Sequence, residues 1–343
     1  MRTVYSEKHR LHFPQGELYG GELVTPFERP SRIEYILRRL SEVGMPAPEA
    51  PGEVDVAAIG AVHDVSYLAF LEHAWDEWKA AGFGGEIIAA SMPVRRQANV
   101  RPPRNIDGKV GYYCLASETA ITAGTWQAAL ASAATVQSAQ KLVAGGERAA
   151  FALCRPPGHH ASKDQYGGYC FINNAAVAAQ MFVAGGASRV AILDVDFHHG
   201  NGTQDIFYDR GDVLFCSLHG QPEDAFPYFV GYAEETGAGA GEGFNVNYPM
   251  AEGSPFAVWR ESLTDAISKI RDFGPDALVV SLGVDTFEED PISFFKLKND
   301  DYKTMGADIA ALGLPTLIVM EGGYAIEDVG INTVNVLEGF EGA

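Results

Sequence analysis

The chain has 343 residues, 47% of them hydrophobic and 20% charged, which supplies a large buried core and argues against a disordered or fibrous protein. Its formal net charge of -20 argues against a nucleic-acid partner, because phosphate binding needs a basic face, and favours cationic ligands. The first residues, Met1-Arg2-Thr3-Val4-Tyr5-Ser6-Glu7, carry no signal-peptide core. The apolar runs stay far short of the roughly 20 residues that a membrane helix needs. Cys114, Cys154, Cys170 and Cys216 show no CxxC spacing, so they read as reduced thiols of a cytoplasmic protein.

In chain order, a helical pattern at 31–43 comes first. Residues 75–104 follow with Gly82, Gly84, Gly85, Pro93, Pro102 and Pro103 and little periodicity; so long an excursion is read as a functional or interface insertion. A helical pattern at 128–143 leads into an apolar run at 149–154, and a helix at 175–184 into a run at 190–193. Further runs lie at 213–218, 277–282 and 316–320, with helical patterns at 258–273 and 302–312 between them. The runs are too short for helices and several are rich in Val and Ile, the mark of buried parallel strands. Strands alternating with helices predict an α/β sheet covered on both faces. No linker or repeat interrupts the chain, so residues 1–343 are expected to form one domain.

In such sheets chemistry gathers at the C-terminal ends of strands. Four runs deliver it there: Arg155-Pro156-Pro157-Gly158-His159-His160, then Asp194 to Gly202, then Gly283-Val284-Asp285, then Glu321-Gly322-Gly323-Tyr324. Asp194, Asp196 and His198 recur with period two and so face one side of extended chain. Asp196 and His198, joined by Asp285, can hold one cation and leave a position open for water, the pattern of catalytic zinc. The tandem His159-His160 suits a general base and its partner, with Asp194 and Asn201 as acceptors that orient them. The Tyr324 phenol, after two glycines, can hydrogen-bond a developing oxyanion.

These motifs, with Gly167-Gly168-Tyr169-Cys170-Phe171-Ile172-Asn173-Asn174, Ser217-Leu218-His219, Asp290-Pro291 and the weaker Val62-His63-Asp64, resemble the histone-deacetylase-like amidohydrolases of the arginase–deacetylase superfamily. Glu17 to Leu23, the stretch from Trp75 to Gly82 and the stretch from Ser281 to Leu297 resemble the bacterial acetylpolyamine amidohydrolase branch. The resemblance implies a single α/β domain around a central parallel sheet of about eight strands flanked by helices. It implies one zinc per subunit on Asp196, His198 and Asp285, with His160 as general base and acid, His159 assisting and Tyr324 as electrophile. It implies a structural potassium on the Asp194 carboxylate, the carbonyls of Asp196, His198 and Leu218 and the Ser217 hydroxyl. It also implies a homodimer in which residues 75–104 narrow the entrance. The expected substrate is a small cationic acetylated amine bound by Glu17, Gly168, Tyr169 and Phe226. Glu17 is expected on a short loop at the mouth, where its carboxylate can meet a distal ammonium.

Three other readings share parts of this pattern. A dimanganese ureohydrolase of the same fold would need further carboxylates where Gly200 and Phe287 stand. A protein acetyl-lysine deacetylase would share the whole catalytic set. A binding module without activity would not be expected to keep that set intact.

Overall fold

The computed structural model describes residues 1–93 and 99–343. Its strands are β1 (Arg2–Tyr5), β2 (Glu17–Tyr19), β3 (Glu22–Val24), β4 (Ala149–Leu153), β5 (Val190–Asp194), β6 (Val213–Gly220), β7 (Asn245–Met250), β8 (Ala277–Leu282) and β9 (Thr316–Met320). Seven of them form one sheet in the order β1-β4-β9-β8-β5-β6-β7, every neighbouring pair parallel. The expectation of about eight strands is corrected to seven, since β2 and β3 pair only with each other as a separate antiparallel hairpin.

The helices are α1 (Ser31–Glu42), α2 (Val56–Gly60), α3 (Val65–Ala80), α4 (Ile106–Tyr113), α5 (Thr125–Ala144), α6 (Asn174–Ala184), α7 (Asn201–Phe207), α8 (Phe256–Phe273), α9 (Asp301–Ala310) and α10 (Val329–Glu341). The sheet divides the apolar residues into two layers, as period two demands. Ala150, Ala152, Val190, Ile192, Val279 and Val319 face a core shared with α3, α5 and α6. Phe151, Leu153, Ala191, Leu193, Val280 and Ile318 face a second core shared with α1, α8, α9 and α10. Full burial of a Val, Leu or Ile contributes about 1.5–3 kcal/mol, so the central strands carry much of the core's stabilisation. Their far ends carry the polar motifs.

Residues 75–104 are only partly the irregular excursion expected. Trp75 lies in α3, which runs on to Ala80, and Ile87 makes an antiparallel bridge with Ile121. Residues 94–98 of that stretch lie outside the described residues. All four cysteines are buried free thiols. Among the described residues, no helix is long and apolar enough to cross a membrane.

Candidate active site

Asp194 closes β5, and the chain leaves the sheet through Val195 to Gly200 before α7 begins. Each carboxylate near this exit is held by main-chain N–H groups. Asp194 Oδ1 accepts from Asp196 N at 3.1 Å, and Asp196 Oδ1 from His198 N at 2.9 Å. Asp196 Oδ2 accepts from Gly322 N at 2.9 Å, and Asp285 Oδ1 from Phe197 N at 2.8 Å. These bonds turn Asp196, His198 and Asp285 together. His198 Nδ1 lies 3.0 Å from Asp285 Oδ2 and 3.3 Å from Asp196 Oδ1.

That trio fits a divalent cation. One donor atom from each residue lies within 4.8 Å of the others, and all three residues are buried. Two carboxylates at such a depth need charge compensation, and two Asp with one His are an open zinc ligand set. Glycine makes the room. A Cβ at Gly283 would lie 2.0 Å from Asp196 Oδ2, and one at Gly322 2.5 Å from Asp285 Oδ2. Burial works against a charged His198, yet Asp196 and Asp285 outweigh it and raise its pKa to about 10. Burial, then Asp196, raises the Asp285 pKa to about 6.

A further set of donor atoms, from His159, Cys170 and Glu321, also lies within 4.8 Å. It is a poorer site for a metal. His159 Nδ1 is engaged with Asp194, Glu321 Oε2 accepts from Gly158 N and His159 N, and burial pushes the Cys170 thiol well above its usual pKa. The positions that a second metal of the ureohydrolase pattern would use are also filled. A Cβ at Gly200 would lie 2.2 Å from Asp194 Oδ2, and Phe287 belongs to the apolar core.

The tandem histidines sit just beyond β4 with ring centroids 4.0 Å apart, but they have different partners. His159 Nδ1 meets the Asp194 carboxylate at 3.0 Å, whereas His160 Nδ1 meets the Asn201 amide oxygen at 2.7 Å. Burial opposes the His159 cation, but Asp196 and Asp194 outweigh it and raise the pKa to about 10. Burial, then the neighbouring His159 and His198, drives the His160 pKa well below the usual value. Adjacent imidazoles thus differ in their partners, one held by a carboxylate and one by an amide oxygen.

His160, His198 and Tyr324 open into a cavity of about 480 Å³, which Glu17, Gly168, Tyr169 and Phe226 also line. Gly168 packs flat on His160: its φ is +54°, and a Cβ there would lie 2.2 Å from His160 Cδ2. The Phe226 ring meets His160 edge-on at 5.0 Å. Tyr324 is buried, with Tyr169 at 5.6 Å and the Arg32 guanidinium 4.9 Å from its ring centroid. Burial holds the Tyr324 pKa well above its usual value, so the phenol stays a donor.

Glu17 is not on a loop. It begins β2 and is 2% exposed. Its Oε1 accepts from the Tyr169 hydroxyl at 3.0 Å and its Oε2 from Phe27 N at 3.0 Å. Burial raises its pKa to about 7. Ser217 and Leu218 lie in β6, where Ser217 is in register with Asp194, behind the cavity and not on it. The Ser217 hydroxyl bonds His219 Nδ1 at 2.8 Å.

Other residues of the site carry weak sequence signals or none. Glu118 and Asp224 line the cavity from separate loops and belong to no local motif. Arg32 donates to the carbonyls of Gly323 and Glu321, each at 2.6 Å. Its sign in the sequence is a charge four residues before Ile36, on the apolar stripe of α1. Asp290 stands in the Asp290-Pro291 motif without an evident task.

A family model described as the histone deacetylase domain matches residues 26–340. An acetylpolyamine amidohydrolase of Mycoplana ramosa is 60% identical over 342 residues, covering 100% of both chains. Acetylpolyamine amidohydrolase 2 of Pseudomonas aeruginosa is 54% identical and covers 100% of this chain and 99% of its own. The crystal structure of an acetylpolyamine aminohydrolase from Burkholderia pseudomallei superposes with a TM-score of 0.94 at 41% identity, covering 99% of this chain and 98% of that one. The sheet, the strand-end cluster and these likenesses agree, and the chain belongs to the histone deacetylase family of amide hydrolases.

Proposed function

We propose that this chain hydrolyses the acetyl amide of acetylated polyamines, of the acetylputrescine, acetylcadaverine and acetylspermidine class, to acetate and the free amine. The observation that carries this reading is a single cavity joining carboxylates to a metal-ligand floor. Glu17, Glu118 and Asp224 line its wall, and His160, His198 and Tyr324 its base. A cationic chain with an acetyl end matches both parts.

One zinc per subunit belongs on Asp196, His198 and Asp285, where a bound zinc polarises a carbonyl and lowers the pKa of water to about 7. The neutral His160, with Nδ1–H donated to Asn201, offers Nε2 to take the proton of the attacking water. The Tyr324 hydroxyl donates to the oxygen that gains charge, a contact whose removal costs about 3 kcal/mol in comparable sites. The imidazolium formed on His160 then gives its proton to the leaving amine nitrogen. His159, oriented by Asp194, packs against His160 and assists it.

A structural potassium on Asp194, Ser217 and the carbonyls of Asp196, His198 and Leu218 is part of the same reading. It is supported by the register of Asp194 with Ser217, and no main-chain N–H among the described residues bonds the carbonyls of Asp196 or His198. So is a homodimer, with residues 75–104 narrowing the entrance. Exposed Leu11, Phe13 and Leu23 border a groove with Trp75 and Ile88, a surface that suits a second copy. A cytoplasmic location accords with four free thiols.

The test is acetate release. Purified protein should liberate acetate from acetylputrescine, stop when chelated and recover with one equivalent of zinc. No release with zinc restored would overturn the reading.

A further inference from the structure

Tyr324 lies in irregular chain between β9 and α10, where no strand or helix bond takes its N–H. The residues before it, Gly322 and Gly323, bring flexibility to a place that must hold a hydroxyl still. Two side chains hold this stretch from opposite sides. Arg32 grips its carbonyls, donating Nε to Gly323 O and Nη2 to Glu321 O. Asp290 grips its amides: Oδ2 accepts from Tyr324 N at 2.7 Å and from Ala325 N at 3.2 Å. The other oxygen, Oδ1, accepts from Ile292 N at 3.1 Å. Pro291 and Ile292 line the cavity, but Asp290 does not, and it is 7% exposed.

We infer that Asp290 is the positioning residue for Tyr324, one carboxylate setting the spacing between the Pro291–Ile292 wall and the Tyr324 hydroxyl. The inference rests on the proposed role of Tyr324 in the reaction. A carboxylate can accept all three N–H groups at once. An amide at 290 keeps one acceptor oxygen and turns an NH₂ toward donors, so at least one buried N–H loses its partner and the Tyr324 loop shifts. Asp290 does not line the cavity and its hydrogen bonds go to main-chain N–H groups, so its hold on Tyr324 runs through the main chain.

The test is a double-mutant cycle of Asp290→Asn and Tyr324→Phe on the zinc-loaded enzyme, with metal content and melting temperature measured for each variant. Asp290→Asn should lower kcat about ten- to hundredfold with KM within about threefold, the penalty of a misplaced catalytic group. In the Tyr324→Phe background the same change should cost less than about threefold, because its route of action is already gone. Losses that multiply in full, or a wild-type kcat for Asp290→Asn, would overturn the inference while leaving the role of Tyr324 intact. A wild-type kcat for Tyr324→Phe alone would remove that role and the inference with it. An Asp290→Asn chain that fails to fold or sheds its metal would make Asp290 part of the scaffold and also overturn it. Asp290→Glu, which keeps the charge and both acceptor oxygens but lengthens the side chain, should fold and hold metal with a lowered kcat, and a wild-type kcat in it would overturn the inference.

Discussion

The floor and the wall of the cavity are built by different means. Beneath the floor of His160, His198 and Tyr324, Asp194, Asp196 and Asp285 are fully buried at or just beyond strand ends, and main-chain N–H groups fix each of them. The wall takes Glu17 from the β2–β3 hairpin, Glu118 from the stretch between α4 and α5, and Asp224 from the loop after β6. None of these three belongs to the main sheet. In the proposed reaction the reacting groups therefore stand at the sheet edge, while the groups proposed to face the rest of the substrate stand on connections free to differ. The two parts should fail differently when broken.

The largest effect is expected at the metal ligands. Asp285→Ala or His198→Ala should abolish both zinc binding and turnover, since two remaining protein ligands hold zinc weakly. Elemental analysis beside an acetate assay checks this; full activity with stoichiometric metal in either variant would remove the zinc assignment. Next come the groups that act in the transition state. His160→Ala should lose about 10²–10⁴ in kcat as an absent acid–base. Tyr324→Phe should lose about 10²–10³ as an absent oxyanion donor. Both should keep zinc and bind intact acetylated amine, which equilibrium binding and metal analysis can show.

The smallest effect belongs to the wall. Glu17→Gln should lower kcat/KM for acetylpolyamines about three- to thirtyfold and barely change turnover of a neutral acetanilide-type substrate. Its pH dependence has a definite sign. Burial raises the Glu17 pKa to about 7, so the carboxyl is neutral below that value and charged above it. The preference for the cationic over the neutral substrate should therefore rise as pH passes about 7, and Glu17→Gln should flatten that rise. Equal losses on both substrates would make Glu17 a support for Tyr169, whose hydroxyl it accepts.

The same division explains what could be read beforehand. Asp196 and His198 converge in a bend after β5 and not in the extended chain that their period-two spacing suggests, whereas buried β5, β8 and β9 show themselves as mostly apolar runs. The edge strands do not. β1 alternates little, and β7 carries Asn245, Asn247 and Pro249 among its apolar residues. Glu118 approaches Gly168 N across 50 residues of chain, and Asp290 approaches Tyr324 N across 34. No local pattern records such meetings. The hairpin residue Glu17 looks like a solvated acid until Tyr169 closes over it from 152 residues away.

In the proposed enzyme a catalytic floor common to amide deacetylation is combined with a wall selecting small cations. Competition among acetylputrescine, acetylspermidine and an acetyl-lysine peptide on the purified enzyme tests it most directly. The two acetylated polyamines should be consumed first, with kcat/KM above that of the peptide by more than about tenfold. Preferential consumption of the peptide would contradict it and make the protein a lysine deacetylase with an acidic entrance.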